Sequence, residues 1–400
     1  MAQQATTANA NGPIWGGAAN GADTTTTARR ELYLKLFSGE MFKGFQRNTI
    51  ARDLVTRRTL KNGKSLQFIY TGRTKAEFHV PGQSILGNDE KTPPVAEKTI
   101  TCDDLLISSA FVYELDETLA HYDLRGEISR KIGYALAENY DRRIFRAISK
   151  AARQPAPVSM TNFKEPGGSI VKVGAANSTA ATDAYDSAKL VQAFFEAAAI
   201  LDEKGVTTDG RVAVLNPRQY YELIRNCATN NLINRDETGD ALQSGNGILD
   251  IAGIKIYKSM NIPFLGDYGV NLANLPSGAV SNINEAASKG SFIGEDMDDQ
   301  DAATTPSGQK TVNNYGTAAK FGGSCGLIFQ KEAAGVVEAI GPQVQVTSGD
   351  VSVVYQGDVI LGRLAMGADF LNPAAAVELV AGIDVSANWN NTAVSNASFT

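Results

Sequence analysis

Histidine is nearly missing from this sequence. His79 and His121 are the only two in 400 residues, which removes most metal and acid–base chemistry before any motif is sought. Cysteine is almost as rare: Cys102, Cys227 and Cys325 are far apart and odd in number, so they give neither a disulfide framework nor CxxC metal spacing, and read as small buried hydrophobes. Thirteen prolines against 38 glycines supply many turns and no proline-rich linker. Long apolar runs are lacking too. Residues 197–201 are typical of the longest, far short of the roughly 20 that cross a bilayer, so no membrane partner is expected. The first residues have no basic or apolar leader character, and a chain that matures in cytosol is expected.

Catalytic motifs fare poorly on the same inventory. Gly322-Gly323-Ser324-Cys325-Gly326 has the letters of GxSxG, but a hydrolase serine of that kind needs a base histidine later in the chain, and both lie upstream. There is no GxxxxGK[ST] phosphate loop, no strand followed by GxGxxG and no HExxH pair. The acidic cluster Glu295, Asp296, Asp298, Asp299 and Asp301 lacks the central glycine and closing glutamate of a calcium loop and reads as a solvated loop. Glu114, Asp116, Glu117, His121 and Asp123 resemble acid–base machinery, but they precede a helix, where carboxylates are stabilised by the N-terminal amides. A protein without catalytic, cofactor or metal residues is expected.

What is present is a globular composition, 43% hydrophobic and 20% charged, with a net charge of -6. Within it, residues 41–75 carry nine Lys or Arg and one acidic residue, Asp53. A basic arm on an acidic chain points to a partner, which on residues alone is nucleic acid, a ligand or another copy of the chain. Phe68, Tyr70 and Phe78 would supply stacking groups for nucleic acid, whereas an acidic protein surface needs only the charge.

The chain divides by pattern. Residues 1–27 are small and polar, and residues 27–45 form an aromatic-rich amphipathic helix in which Phe37 and Phe42 widen the apolar face. Asn62-Gly63 signals a hairpin turn leading into a strand over residues 65–70, with a second arm at 76–80. Strands are expected at 98–102 and 106–115. Asp123 then caps a helix through Ile148, with Leu124, Ile128, Ile132, Leu136, Ile144 and Ile148 on one side and Arg125, Glu127, Arg130, Lys131, Glu138, Arg142, Arg143 and Arg146 on a solvated face. A helix over 184–204, a strand over 211–215, a helix opened by Asn216-Pro217 and a strand over 251–257 describe an α/β layer. Polar excursions follow at 229–247 and 276–314, then strands at 326–330, 333–340, 344–355 and 359–364, and a small, polar end from 374.

Several of these segments carry a family resemblance. Leu32-Tyr33-Leu34-Lys35-Leu36-Phe37-Ser38-Gly39-Glu40, Gly63-Lys64-Ser65-Leu66-Gln67-Phe68, Thr71-Gly72-Arg73-Thr74, Glu97-Lys98-Thr99-Ile100-Thr101 and His121-Tyr122-Asp123-Leu124-Arg125 together resemble the major capsid proteins of T7-like short-tailed bacteriophages. Fainter similarity runs through 211–220, 260–263 and 326–375, and the departures fall in the N-terminal tail, 154–182 and 276–314.

The resemblance implies an α+β, HK97-type capsid fold. Residues 1–53 would be an N-terminal arm, 54–94 an extended E-loop hairpin, and 95–180 a peripheral domain with a spine helix at 123–148. Residues 181–335 would be an α/β axial domain, 336–375 the return to the peripheral domain and 376–400 a C-terminal segment. It also implies self-assembly into hexamers and pentamers of an icosahedral shell around phage double-stranded DNA, in the virion after assembly in the bacterial cytoplasm. Implied partners are the chain itself, a scaffolding protein, a portal protein at one vertex, an accessory or decoration protein and the packaged DNA by non-specific proximity. The alternative is a DNA-binding protein using residues 41–75. Candidate subunit contacts are Phe37, Phe42, Arg57, Arg58, Lys61, Lys64, Phe68, Arg73, Lys75, Arg142 and Arg146.

Overall fold

The computed structural model describes residues 50–74, 76, 78–82, 84, 93–114, 124–155, 165–175, 181–225, 250–262, 313, 315, 324–346 and 356–381. In chain order its strands and helices are β1 (Thr56–Thr59), β2 (Ser65–Thr71), β3 (Val95–Thr101), β4 (Leu106–Tyr113), α1 (Leu124–Arg153), β5 (Ser169–Lys172), α2 (Ser187–Glu203), β6 (Arg211–Leu215), α3 (Pro217–Arg225), β7 (Asp250–Ile251), β8 (Ile254–Lys258), β9 (Ser324–Gln330), β10 (Ala334–Val346), β11 (Gly357–Phe370) and β12 (Ala376–Val380). The strands form sheets ordered β1-β10-β11-β4, β5-β12-β9-β6-β8-β7 and β2-β3. The described residues separate into two compact units, one drawn from 105–138 and 340–365, the other from 50–104, 139–339 and 366–381.

In the first unit, β4 runs antiparallel to β11 from Leu106↔Leu364 to Tyr113↔Gly357. Strand alternation turns Leu106, Ala110 and Val112 to one side, where they meet Ile128, Ile132 and Leu136 of α1 and Ile360 of β11. Those helix positions recur every fourth residue, so one apolar stripe covers one sheet face. Gly362 permits the close fit. A Cβ there would lie 2.4 Å from Ile132 Cγ2 and 2.9 Å from Leu136 Cδ1. Arg125 adds an ion pair to Asp358 at 3.0 Å.

The second unit is built on the six-stranded sheet. β6 is buried at every position, pairing antiparallel with β9 and parallel with β8. A strand covered on both faces reads as a continuous apolar run, and Val212-Ala213-Val214-Leu215 does so. Leu190, Ala193, Phe194, Ala197 and Leu201 of α2 pack with Ala213, Leu215, Leu223 and Leu379 in one core. Asp186 caps α2 by accepting from the Ala188 amide at 3.1 Å, and Gly205, at φ +72°, ends it. Asn216 accepts from the Arg218 amide at the head of α3.

Several expectations are corrected. The turn at Asn62-Gly63 is present, with Gly63 at φ +89°, but it joins two strands that do not pair with each other. β1 pairs parallel with residues Gly335 to Glu338 of β10, and β2 pairs antiparallel with β3 from Ser65↔Thr101 to Thr71↔Val95. The returning arm of the ribbon is therefore β3. The described residues of 76–80, where an arm was expected, are not in a strand. The helix over 123–148 continues to Arg153, and its charged face is not solvated in the second half, since Arg142, Arg143 and Arg146 are each 1% exposed. The strands expected at 333–340 and 344–355 are one strand, β10, as far as Val346. Within the small, polar end lies β12, buried throughout, Glu378 included.

Candidate functional site

The β2–β3 ribbon has two unlike faces. Cross-strand register puts Leu66 with Ile100, Phe68 with Lys98 and Tyr70 with Ala96 on a half-buried or buried side, and Gln67 with Thr99, Ile69 with Glu97 and Thr71 with Val95 on an exposed side. At the end where Thr71 pairs with Val95 the exposed side sets Ile69 and Val95 beside Glu97 and Thr71. Ile69 is 75% exposed and Val95 60%, and in the connecting segment Phe78 is fully exposed and Val80 55%. Exposed large apolar side chains on an element whose other face is packed are a mark of a docking surface.

Ion pairs and cation–π contacts fix the ribbon's inner side. Lys98 Nζ lies 2.7 Å from Asp369 Oδ2 and 3.9 Å from the Phe370 ring centroid, and the Arg58 guanidinium lies 5.2 Å from that of Phe68. Gly72 N–H donates to the Pro94 carbonyl at 2.8 Å, closing the ribbon's end. Arg73 then reaches Glu165, both through its backbone N–H and with Nε 3.8 Å from Oε2, while Nη2 donates to the Lys204 carbonyl. A cleft of about 550 Å³ lies there, lined by Phe68, Tyr70, Arg73, Glu165 and Lys204 among others. Burial raises the Tyr70 phenol's pKa, with Glu165 adding to the effect, and lowers that of Lys204 to about 8.

The second half of α1 anchors this unit through buried polar groups. Asp141 accepts from the Ile50 and Ala51 amides at 2.7 and 3.2 Å, and Tyr140 Oη donates to Glu338 at 2.7 Å. Burial and that carboxylate both push the Tyr140 phenol's pKa upward. Arg143 pairs with Asp103 at 3.2 Å, Asp103 also accepting from Tyr315 Oη at 2.7 Å and Asn313 Nδ2 at 2.9 Å. Lys150 meets Asp369 at 2.9 Å, with burial lowering its pKa against the opposing pull of that carboxylate. Arg153 grips Glu378 with two nitrogens, at 2.5 and 2.7 Å, and Ser324 Oγ donates to the same carboxylate. The serine of the GxSxG letters is thus a buried structural donor on β9.

The candidate contact residues fall into distinct places. Arg57, with Arg52, faces Glu338 of its own chain at 3.9 and 3.2 Å; Lys64 lies 3.9 Å from Asp104 with both side chains exposed. Lys61 is exposed beside the Gly63 turn. Arg142 and Arg146 are interior, and Phe37, Phe42 and Lys75 lie outside the described residues, as do residues 27–45, 229–247 and 276–312. Ile69, Val80 and Val95 are exposed apolar residues outside the expected contacts, and Phe78 was expected only as a stacking group for nucleic acid. The alternation of residues 65–71 could have found Ile69, opposite the packed Leu66, Phe68 and Tyr70. Glu338 and Glu378 had a signal too: each is a lone carboxylate within an apolar strand.

Comparison with known proteins agrees with this architecture. The family model described as "Gp10A-like: Major capsid protein" matches residues 67–380. The chain is 29% identical to the major capsid protein of Escherichia phage T7 over 196 residues, 48% of this chain and 56% of that protein. To the major capsid protein of Enterobacteria phage T3 it is 30% identical over 150 residues, 37% of this chain and 42% of that one. The matches thus span about half the length of these curated relatives. The capsid structure of cyanophage P-SCSP1u superposes with a TM-score of 0.66 at 30% identity, covering 90% of this chain and 96% of that one. The mature capsid of bacteriophage PhiM1 shares the fold at a TM-score of 0.58 and 16% identity, over 86% and 91%. With the family model spanning most of its length and the fold shared along nearly all of it, the chain belongs to the Gp10A-like family of major capsid proteins.

Proposed function

We propose that this chain is the shell-forming subunit of a phage head, assembling into hexamers and pentamers of a closed icosahedral shell around double-stranded DNA. In this reading the β2–β3 ribbon is the E-loop and α1 the spine helix. The observation that carries it is the ribbon's outer face. Ile69, Phe78, Val80 and Val95 stand exposed on an element whose other face is fixed to its own chain, the arrangement a neighbour's surface would complete. Repetition of one modest contact around a closed ring multiplies its effect without requiring strong pairwise affinity.

Scaffolding and portal proteins as assembly partners, an accessory protein and assembly in the host cytoplasm belong to the same proposal. The DNA-binding alternative draws less support. Arg57, Arg58, Lys64 and Arg73 of the basic stretch already meet Glu338, Phe68, Asp104 and Glu165 within the chain. Negative-stain microscopy of the purified full chain, with and without a scaffolding partner, tests the proposal. Closed polyhedral shells are expected, and monodisperse monomers under assembly conditions, with salt-sensitive DNA binding, would favour the alternative.

A further inference from the structure

Strand β2 has one edge paired and one edge open. Cys102 N–H donates to the Lys64 carbonyl at 2.7 Å and Gly72 N–H to that of Pro94 at 2.8 Å. In the register of the ribbon these bonds turn the backbone groups of the even residues of β2 toward β3. The odd ones, Gln67, Ile69 and Thr71, turn theirs the other way, where no strand follows among the described residues, because the ribbon is a sheet of two strands. Arg73 keeps the alternation just past the strand, and its N–H meets Glu165, whose side chain is only 3% exposed and closes the row at that end.

This open edge borders the cleft of about 550 Å³, which residues 68–73 line without a break. Side chains of a strand alternate between its two faces, so an unbroken run along a cavity means that the backbone edge itself faces the space. The volume is within the roughly 300–1,000 Å³ of clefts that hold ligands. Arg73 and Lys98, both lining it, are already paired with Glu165 and Asp369. The cleft thus offers a guest backbone hydrogen bonds more than charge.

We propose that the cleft receives an extended segment of a second copy of the chain, which adds to β2 as a third strand through the N–H and C=O groups of Ile69 and Thr71. Two observations favour a copy over a different protein. Ile69 lines the cleft and is also 75% exposed on the ribbon's outer side, so the strand site runs into the apolar surface assigned above to a neighbour. A site carried once by every chain is also filled throughout a shell only by a partner present as often, as a copy is. A segment of one copy on the strand edge of the next is a head-to-tail contact, the kind that closes rings. The inference rests on the capsid-subunit reading and adds what the neighbour contributes to the ribbon.

Thr71→Pro separates main chain from side chain. The Thr71 N–H faces the cleft, so proline there removes a donor to the added strand and none from the β2–β3 ladder, whereas Thr71→Val keeps the donor. Amide hydrogen exchange, read by mass spectrometry over residues 65–73, compares isolated subunits with closed shells of the full chain freed of any other protein. The Ile69 and Thr71 amides should exchange at least about tenfold more slowly in the shell. Thr71→Pro should lower shell yield roughly tenfold with exchange elsewhere in the subunit unchanged, and Thr71→Val should assemble as wild type. Shells in which both amides exchange as fast as in the subunit, or an undiminished yield from Thr71→Pro, overturn the strand addition and leave the capsid reading standing. Protection that vanishes when a scaffolding or accessory protein is removed overturns the choice of a second copy. A wild-type chain that forms no closed shell overturns the capsid reading and the strand addition with it.

Discussion

At the scale of single residues, stability in the larger unit hangs on charges placed where apolar side chains would be expected. Glu378 sits in the middle of β12 with no exposure, and its two-nitrogen contact with Arg153 neutralises it. Removing one partner of such a pair strands the other. Glu378→Ala should cost about 3–5 kcal/mol in urea unfolding, whereas Glu378→Met combined with Arg153→Met should recover most of that loss. A single variant costing no more than the double would show that the pair is not coupled. The same logic applies to Arg143 with Asp103, whose remaining lone pairs are met by Tyr315 and Asn313. None of these pairings is legible in the sequence. Arg143 falls on the polar side of a helical wheel, and nothing local distinguishes a solvated arginine from one whose carboxylate, here Asp103, arrives from a distant part of the chain.

At the scale of elements, the parts whose reasons are local could be read from the sequence. The head of α3 is set by Asn216-Pro217, the end of α2 by Gly205, and β6 by its unbroken apolar run. Pairing was not so legible. The Asn62-Gly63 turn has the same local preference whether its flanking strands pair or part, and what separates them is the company each finds elsewhere: Gly335 to Glu338 for β1, the matching alternation of β3 for β2. In the proposed function it is through its exposed apolar residues that the ribbon bears on assembly. Ile69→Thr, Val95→Thr and Phe78→Ser together should leave the subunit's unfolding free energy within about 1 kcal/mol of wild type, because these side chains are mostly exposed. Shell yield, measured by sedimentation, should fall by at least about tenfold, on the order of 1.4 kcal/mol per contact before repetition around the ring. Undiminished yield would remove the ribbon's outer face from the assembly contact.

At the scale of the whole molecule, the basic stretch inside an acidic chain reads differently once folded. Among the described residues, its Arg52, Arg57, Lys64 and Arg73 pair with Glu338, Asp104 and Glu165 of their own chain, and the ribbon's outward face carries Ile69 and Val95 beside Gln67, Glu97 and Thr99. In the proposed reading charge seats the ribbon and apolar contact addresses the neighbour, a division that fits a subunit whose net charge of -6 would itself repel its copies. The most direct measurement is a cryo-microscopy map of the assembled shell at side-chain detail. The account predicts that Ile69, Phe78, Val80 and Val95 are covered by an adjacent subunit in every ring, and a closed shell in which all four remain open to solvent would contradict it.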